Sequence, residues 1–276
     1  MKFLLAPNFS KPNTAKVFDS AVEILKNNGA ELYLSNEYSQ TVKGNFTFTD
    51  EKTALSKCDT VIAIGGDGTI IDMAKKSAFF NKPVLGINSG RIGFLAGLEF
   101  EDIDNLCKIQ SGEYEIETAS MLEVFSKNNP KKIYYCINDA VLSRISFSKM
   151  ADIELRYLNN KLSYRADGVV VATPTGSTAY SMSAGGPVVD RTVGGIIVTP
   201  ICPYSYFSRS VIINDNSTIE LSSLKQNENL CLIIDGEKVE GFSSDEVFCI
   251  KKSELKVRFI KIGETAMFKK LNEKIK

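Results

Sequence analysis

A chain of 276 residues has room for one large domain or two ordinary ones, and its 43% hydrophobic and 24% charged residues are those of a folded protein, not a disordered one. Lysine plus arginine equals aspartate plus glutamate at 33 each, so no net field draws the chain to nucleic acid or to an anionic membrane. Histidine is absent, which excludes Ser-His-Asp and Cys-His catalysis, histidine-bound zinc or iron, and imidazole acid–base chemistry. Any reaction must then use carboxylates, hydroxyls, amines or guanidinium groups, backbone amides, or a hard metal ion such as Mg²⁺.

In chain order, residues 2–5 read as a strand, and residues 12–28 as a helix with Val17, Ala21, Val22 and Leu25 on one face and Asn27-Asn28-Gly29 as its stop signal. A strand at 31–34, a helix at 50–57, a strand at 60–64, a helix at 70–79 and a strand at 83–87 follow. Strands alternating with helices at this spacing predict a right-handed, mostly parallel, Rossmann-like α/β sheet. The glycine clusters after residues 64 and 85 then fall at strand C-terminal ends, where open α/β sheets bind ligands. After a helix near 101–109 the texture changes to short strands at 114–126, 132–143, 152–157, 168–173, 195–199, 217–221, 230–234 and 246–251. This predicts a second, β-rich, mainly antiparallel domain. The expected division is 1–105 for the α/β domain and 106–255 for the β-rich one.

No segment approaches the ~18 apolar residues that span a bilayer, and the apolar run before Pro7 is too short for a signal-peptide core. The expectation is a cytoplasmic protein. The six cysteines lie far apart with no CxxC pair and read as small buried hydrophobes. The lysine-rich stretch 251–276 interleaves with Val257, Phe259, Ile260 and Ile262 and reads as a solvated face.

Three constellations carry chemistry. The first is VIAIGGDGTI at 61–70, a strand running into Gly65-Gly66-Asp67-Gly68-Thr69 and then a helix. No lysine follows the last glycine and no GxGxxG spacing is present, so it is neither a Walker A loop nor a dinucleotide fingerprint. Its glycines permit positive φ and an anion nest backed by the helix N-terminus. A bare carboxylate about 4 Å from a phosphate oxygen costs roughly 1 kcal/mol in water and several times that in a drier cleft. Asp67 therefore calls for a bridging divalent cation, or for a hydroxyl that hands it a proton while attacking phosphorus; a simpler reading is a helix cap. The second constellation, RADGVVVATPTGSTAYSMSAGGPVV at 165–189, carries a strand into a run of hydroxyls that suits a polar, uncharged ligand surface, with Tyr180 able to stack on a base. The third, Asn138-Asp139, reads alone as a turn or Asx motif. Together the first two favour a nucleotide site and phosphoryl transfer.

These residues resemble the NAD kinase family. GGDGT at 65–69, NSGRIGFL at 88–95, ND at 138–139, DGVVVATPTGSTAYSMSAGGPVV from Asp167, and IIVTPICPYS at 196–205 match its motifs in order and spacing. The resemblance implies a kinase that transfers the γ-phosphoryl group of ATP, or of polyphosphate in some members, to the adenosine ribose 2′-hydroxyl of NAD, with a divalent cation. It implies Asp67 as proton acceptor and Gly65, Gly66, Gly68 and Thr69 as the phosphate loop. Dinucleotide contacts are implied at Asp67, Gly68, Phe94, Asn138, Asp139, Lys149, Arg165, Asp167, Thr178, Ala179, Tyr180, Ser181, Met182, Ser183 and Glu237. It further implies a homodimer or homotetramer, and a C-terminal stretch, 256–276, that returns to the first domain. Three positions depart from the family pattern: Asp139 stands where glutamate is common, Tyr204 where many members have histidine, and Glu237 where glutamine is frequent. The rivals are a dinucleotide-binding sensor without catalysis, and a lipid kinase, which shares GGDGT but has no need of the TPTGSTAYS block.

Overall fold

The structure is a computed structural model that describes residues 1–90, 93–145, 149–204, 207–224, 230–241, 246–263 and 271–272. The chain divides into two compact units, Met1–Thr118 with the chain from Lys256, and Ala119–Leu255. The first break lies beyond the expected 105/106 boundary. Its cause is packing: Ile103, Leu106, Ile109 and Tyr114 all join the core of the first unit.

In the first unit, β1 (Lys2–Pro7), α1 (Thr14–Asn27), β2 (Glu31–Ser35), β3 (Thr47–Thr49), α2 (Glu51–Lys57), β4 (Thr60–Gly65), α3 (Asp67–Ala78) and β5 (Pro83–Asn88) succeed one another. The strands pair in the order β3-β2-β1-β4-β5, all parallel. Arg258 and Phe259 of the returning chain add a further parallel strand beside β5. Every residue of β4 and β5 is buried, as a parallel sheet covered on both faces requires. Helix α1 turns Val17, Phe18, Ala21 and Leu25 into that core. From β1 the chain runs outward through β2 and β3, then returns to the other side of β1 with β4. The connections after β1 and β4 thus diverge, which opens a crevice at their carboxyl ends. The helix expected near 101–109 is instead a 3₁₀ segment (Phe100–Cys107) followed by the short α4 (Lys108–Ser111). Part of the returning stretch, residues 264–270 and 273–276, lies outside the described residues.

The second unit is built of β6 (Glu115–Ser126), β7 (Asn129–Cys136), β8 (Asp139–Arg144), β9 (Ala151–Tyr157), β10 (Asn160–Ala166), β11 (Gly168–Ala172), the one-turn α5 (Tyr180–Ser183), β12 (Gly195–Ile201), β13 (Val211–Asn214), β14 (Ile219–Ser223), β15 (Leu230–Ile234), β16 (Glu237–Val239) and the start of β17 (Phe248–Lys261). One antiparallel sheet runs β13-β12-β11-β8-β15-β16, and β10-β9-β14-β17 form a second antiparallel run. Alternate residues of both runs, among them Leu142, Val169, Val171, Val198, Ile153, Leu155 and Ile219, share one core. Residues 132–143, expected as a single strand, are two: the ladder stops at Cys136 and resumes at Asp139.

No helix among the described residues is long and apolar enough to cross a membrane. All six cysteines are free thiols, but Cys107 and Cys202 are exposed, against the expectation that all are buried.

Candidate active site

In the first unit β4 ends at Gly65, and the carbonyl of Gly66 accepts the first helical bonds, from Thr69 and Ile70. Helix α3 therefore begins at Asp67, three residues earlier than its apolar spacing suggests. Asp67 is not the N-cap of α3: Gly66 holds that position and supplies no side-chain cap. The Asp67 carboxylate instead accepts the amides of Phe94 (2.9 Å to Oδ2) and Leu95 (3.1 Å to Oδ1). Each oxygen keeps lone-pair capacity for a further donor. Gly93 makes this clasp possible, because a Cβ there would overlap Asp67 Oδ1.

The glycines act differently from the expected nest. None of Gly65, Gly66 and Gly68 has positive φ; Gly66 is extended at φ −92° and ψ −179°. Gly65 is required by packing, since a Cβ there would lie 2.5 Å from Thr69 Oγ1. That hydroxyl is also fixed by Asn8 Nδ2 at 3.0 Å. Gly66 and Gly68 face open space and leave room for a ligand beside the first turn of α3. A cavity of about 370 Å³ lies in the same unit, reaching from Gly68 and Thr69 to the end of β1 and lined also by Glu37, Glu51, Asp72 and Lys76. Lys76 pairs with Glu51 (3.0 Å) and Asp72 (2.9 Å).

In the second unit the sheet brings the other two constellations to one end. Asp139 pairs with Ala172 in the β8–β11 ladder, and the chain after β11 turns back over Asn138. Thr173 N donates to Asn138 O at 2.8 Å, and Thr173 Oγ1 donates to Ile137 O at 2.5 Å. Gly176 packs so closely that a Cβ would overlap the Asn138 carbonyl. The Tyr180 backbone amide lies near the Asp139 carboxyl. Burial first, and the nearby Asp235 carboxylate second, push Asp139 up to about 7. Tyr180 is 42% exposed. Its phenol is raised by burial, then by the charges of Cys202, Asp139 and Asp167. The half-buried Asn138 side chain has no hydrogen-bond partner among the described residues.

The hydroxyl run divides in two. Thr173, Ser177 and Ser181 are buried, and their hydroxyls serve the protein: Ser177 Oγ donates to Pro174 O (2.6 Å) and accepts from Val189 N (3.0 Å). Ser181, expected as a ligand contact, turns its hydroxyl to Thr199 at 3.0 Å. Its place on the inner side of the one-turn helix leaves that hydroxyl no solvent-facing surface. Thr178 and Ala179 are half-buried, and Tyr180, Met182 and Ser183 are exposed.

The remaining expected contacts lie elsewhere. Gly168 pairs with Ser143 at the opposite end of the β8–β11 ladder from Asp139. There Asp167 pairs with Arg144 at 2.9 Å, and Arg144 Nη1 donates to Lys149 O at 3.2 Å. Arg165 is exposed near Asp152. Five strand residues separate the two ends by roughly 13 Å. Glu237 is exposed at the start of β16. Sequence reasoning missed Asp235, whose signal was its Asp-Gly pair between two short strands.

Comparison with known proteins follows the same division. The ATP-NAD kinase N-terminal domain matches residues 4–114 and the ATP-NAD kinase C-terminal domain residues 137–262. The NAD kinase of Thermoanaerobacter sp. (strain X514) is 39% identical over 275 residues, covering 98% of this chain and 96% of that protein. The NAD kinase of Clostridium botulinum (strain Loch Maree / Type A3) is 41% identical over 230 residues, 82% of this chain and 80% of the relative. An Archaeoglobus fulgidus NAD kinase solved in complex with ATP superposes with a TM-score of 0.74 at 25% identity over 99% of both chains. Yeast NADH kinase complexed with NADH shares the fold, with a TM-score of 0.86 at 24% identity over 100% of this chain and 87% of that one. With both domains matched in order and relatives aligned over nearly its whole length, this chain belongs to the NAD kinase family of phosphotransferases.

Proposed function

We propose that the protein transfers the γ-phosphoryl group of ATP to the adenosine ribose 2′-hydroxyl of NAD, making NADP in the cytoplasm, with Asp67 as general base. The 2′-oxygen forms a bond to the γ-phosphorus, the bond to the ADP oxygen breaks, and the hydroxyl proton passes to Asp67. The observation that carries this reading is the Asp67 carboxylate, clasped by two amides beside the open faces of Gly66 and Gly68. In a chain without histidine it is the carboxylate best placed for the task. Asn138, Asp139, Thr178, Ala179, Tyr180, Met182 and Ser183 are assigned to the dinucleotide in the same reading, with Phe94, Lys149, Arg165, Asp167 and Glu237 as further contacts. An assembly of two or four copies belongs to it as well.

The cavity beside Gly68 supports ATP over polyphosphate as donor. Leu4, Leu5, Ala6 and Met73 give it apolar wall, and its three carboxylates stand against one lysine. That balance suits a neutral nucleoside and opposes a chain of phosphates. Among the described residues no group of three acidic, cysteine or histidine side chains could hold a metal. This fits a Mg²⁺ ion that arrives on the donor, where it neutralises the phosphate oxygens.

Incubation with NAD, Mg²⁺ and either donor tests the proposal. NADP should form with ATP, and polyphosphate should support less than about a tenth of that rate. NAD binding without NADP formation would leave a dinucleotide sensor. Replacing Tyr180 with alanine should raise the KM for NAD about tenfold, the loss expected for one base–aromatic stack, with the KM for ATP unchanged. Equal changes in both would remove Tyr180 from the dinucleotide site.

A further inference from the structure

Ile137 and Asn138 interrupt the strand between β7 and β8, so their backbone groups need partners outside the ladder. The carbonyls go to Thr173. The amides go to one side chain: Asp235 Oδ2 accepts Ile137 N at 3.0 Å, and Oδ1 accepts Asn138 N at 2.8 Å and Asp139 N at 3.2 Å. Asp235 N donates in return to Asp139 O at 3.0 Å. Asp235 and Gly236 form the two-residue turn of the β15–β16 hairpin, with φ of 47° and 85°. That is the left-handed pair that an Asp-Gly turn supplies. The turn thus presents a carboxylate to three consecutive amides next to the Asp139 carboxyl, itself 4% exposed.

We infer that Asp235 is a positioning residue for dinucleotide binding, fixing the backbone of Asn138 and Asp139 and, through its charge, making affinity for the dinucleotide depend on pH. This rests on the proposed reading of Asn138 and Asp139 as dinucleotide contacts. Among the described residues, the titratable groups facing Asp139 are Asp235 from the hairpin turn and Tyr180 from α5. The paired strand β11 and the turn after it bring no ionisable side chain. With Asp139 pushed up to about 7, its acid form holds below neutrality and its carboxylate above. Ribose hydroxyls donate more strongly to a carboxylate than to a neutral acid. The KM for NAD therefore falls as pH rises through neutrality.

The test is the KM for NAD and the kcat from about pH 5.5 to about 8.5 for the wild type and three variants. Asp235→Ala loses both the bonds and the charge, and should raise the KM about tenfold with kcat within about threefold. Asp235→Asn keeps an acceptor for two of the amides. It should recover most of the KM while its pH midpoint lies about one unit below wild type, since a neighbouring like charge has been removed. A merely structural role would not move that midpoint. An unmoved midpoint in Asp235→Asn overturns the inference, and this variant decides even if Asp235→Ala does not fold. Asp139→Asn should abolish the pH dependence. If it leaves both the KM and its profile unchanged, the assignment of Asp139 to the dinucleotide fails and carries the inference with it. A change in Asp139→Asn without one in Asp235→Asn removes the inference alone.

Discussion

Asp67→Asn should lower kcat by about a thousandfold, within the range that one general base contributes, while the dissociation constant for NAD stays within about threefold of wild type. The substitution keeps size and shape. It removes proton-accepting ability and sets an amide NH₂ against one of the two amides, of Phe94 or Leu95, that now bond the carboxylate. That mismatch costs about 1–3 kcal/mol of local stability, and a thermal melt measures it. Asp67 has two separable roles in this structure, clasping residues 94–95 and, in the proposed mechanism, taking a proton. Turnover within tenfold of wild type would leave it the clasp alone. Loss of turnover with NAD binding retained, by calorimetry, assigns it the proton.

Much of the first unit was legible because a parallel α/β sheet writes itself locally. Buried strands such as β4 and β5 are unbroken apolar runs, and α1 repeats its buried face at helical spacing. Misreadings arose where packing or particular hydrogen bonds, local or distant, decide. Asp67 lies inside helix α3 because the Gly66 carbonyl accepts the first helical bonds, whereas three glycines within four residues argue locally against helix. The glycines read as a nest proved to be a matter of space: Gly65 for Thr69, and Gly66 and Gly68 for open room. The break at Ile137-Asn138 showed only as the Asn138-Asp139 turn signal and did not stop the strand read over 132–143, since the bonds that replace the ladder come from Thr173 and Asp235, far along the chain. Strand β10 was missed although Leu162, Tyr164 and Ala166 alternate toward the core; the period-two signal was present there. Hydroxyls were legible as a group but not one by one. Whether Ser181 meets ligand or Thr199 depends on which way a single helical turn faces.

Two glycine-to-alanine substitutions separate the positioning of the carboxylate from the integrity of the fold. At Gly93 the new methyl would meet the end of the Asp67 side chain, a flexible group that can rotate aside. The carboxylate then leaves its two amides, a local loss of about 1–3 kcal/mol like that expected of Asp67→Asn. A displacement of about 1 Å in a reacting group costs roughly a hundredfold in rate, so Gly93→Ala should lose about that in kcat with its melting temperature lowered only about as far as in Asp67→Asn. At Gly176 the methyl would meet the carbonyl oxygen, carbon and Cα of Asn138, which are backbone and cannot step away cheaply. Relief requires the turn after β11 to separate from the start of β8, breaking the bonds from Thr173 to Ile137 and Asn138. Gly176→Ala should therefore destabilise the protein by about 3 kcal/mol and raise the KM for NAD as Asn138 shifts. Thermal melts and steady-state kinetics on both variants distinguish the cases. If Gly93→Ala melts early and keeps its kcat, the clasp on Asp67 supports the fold, and proton transfer does not depend on its geometry.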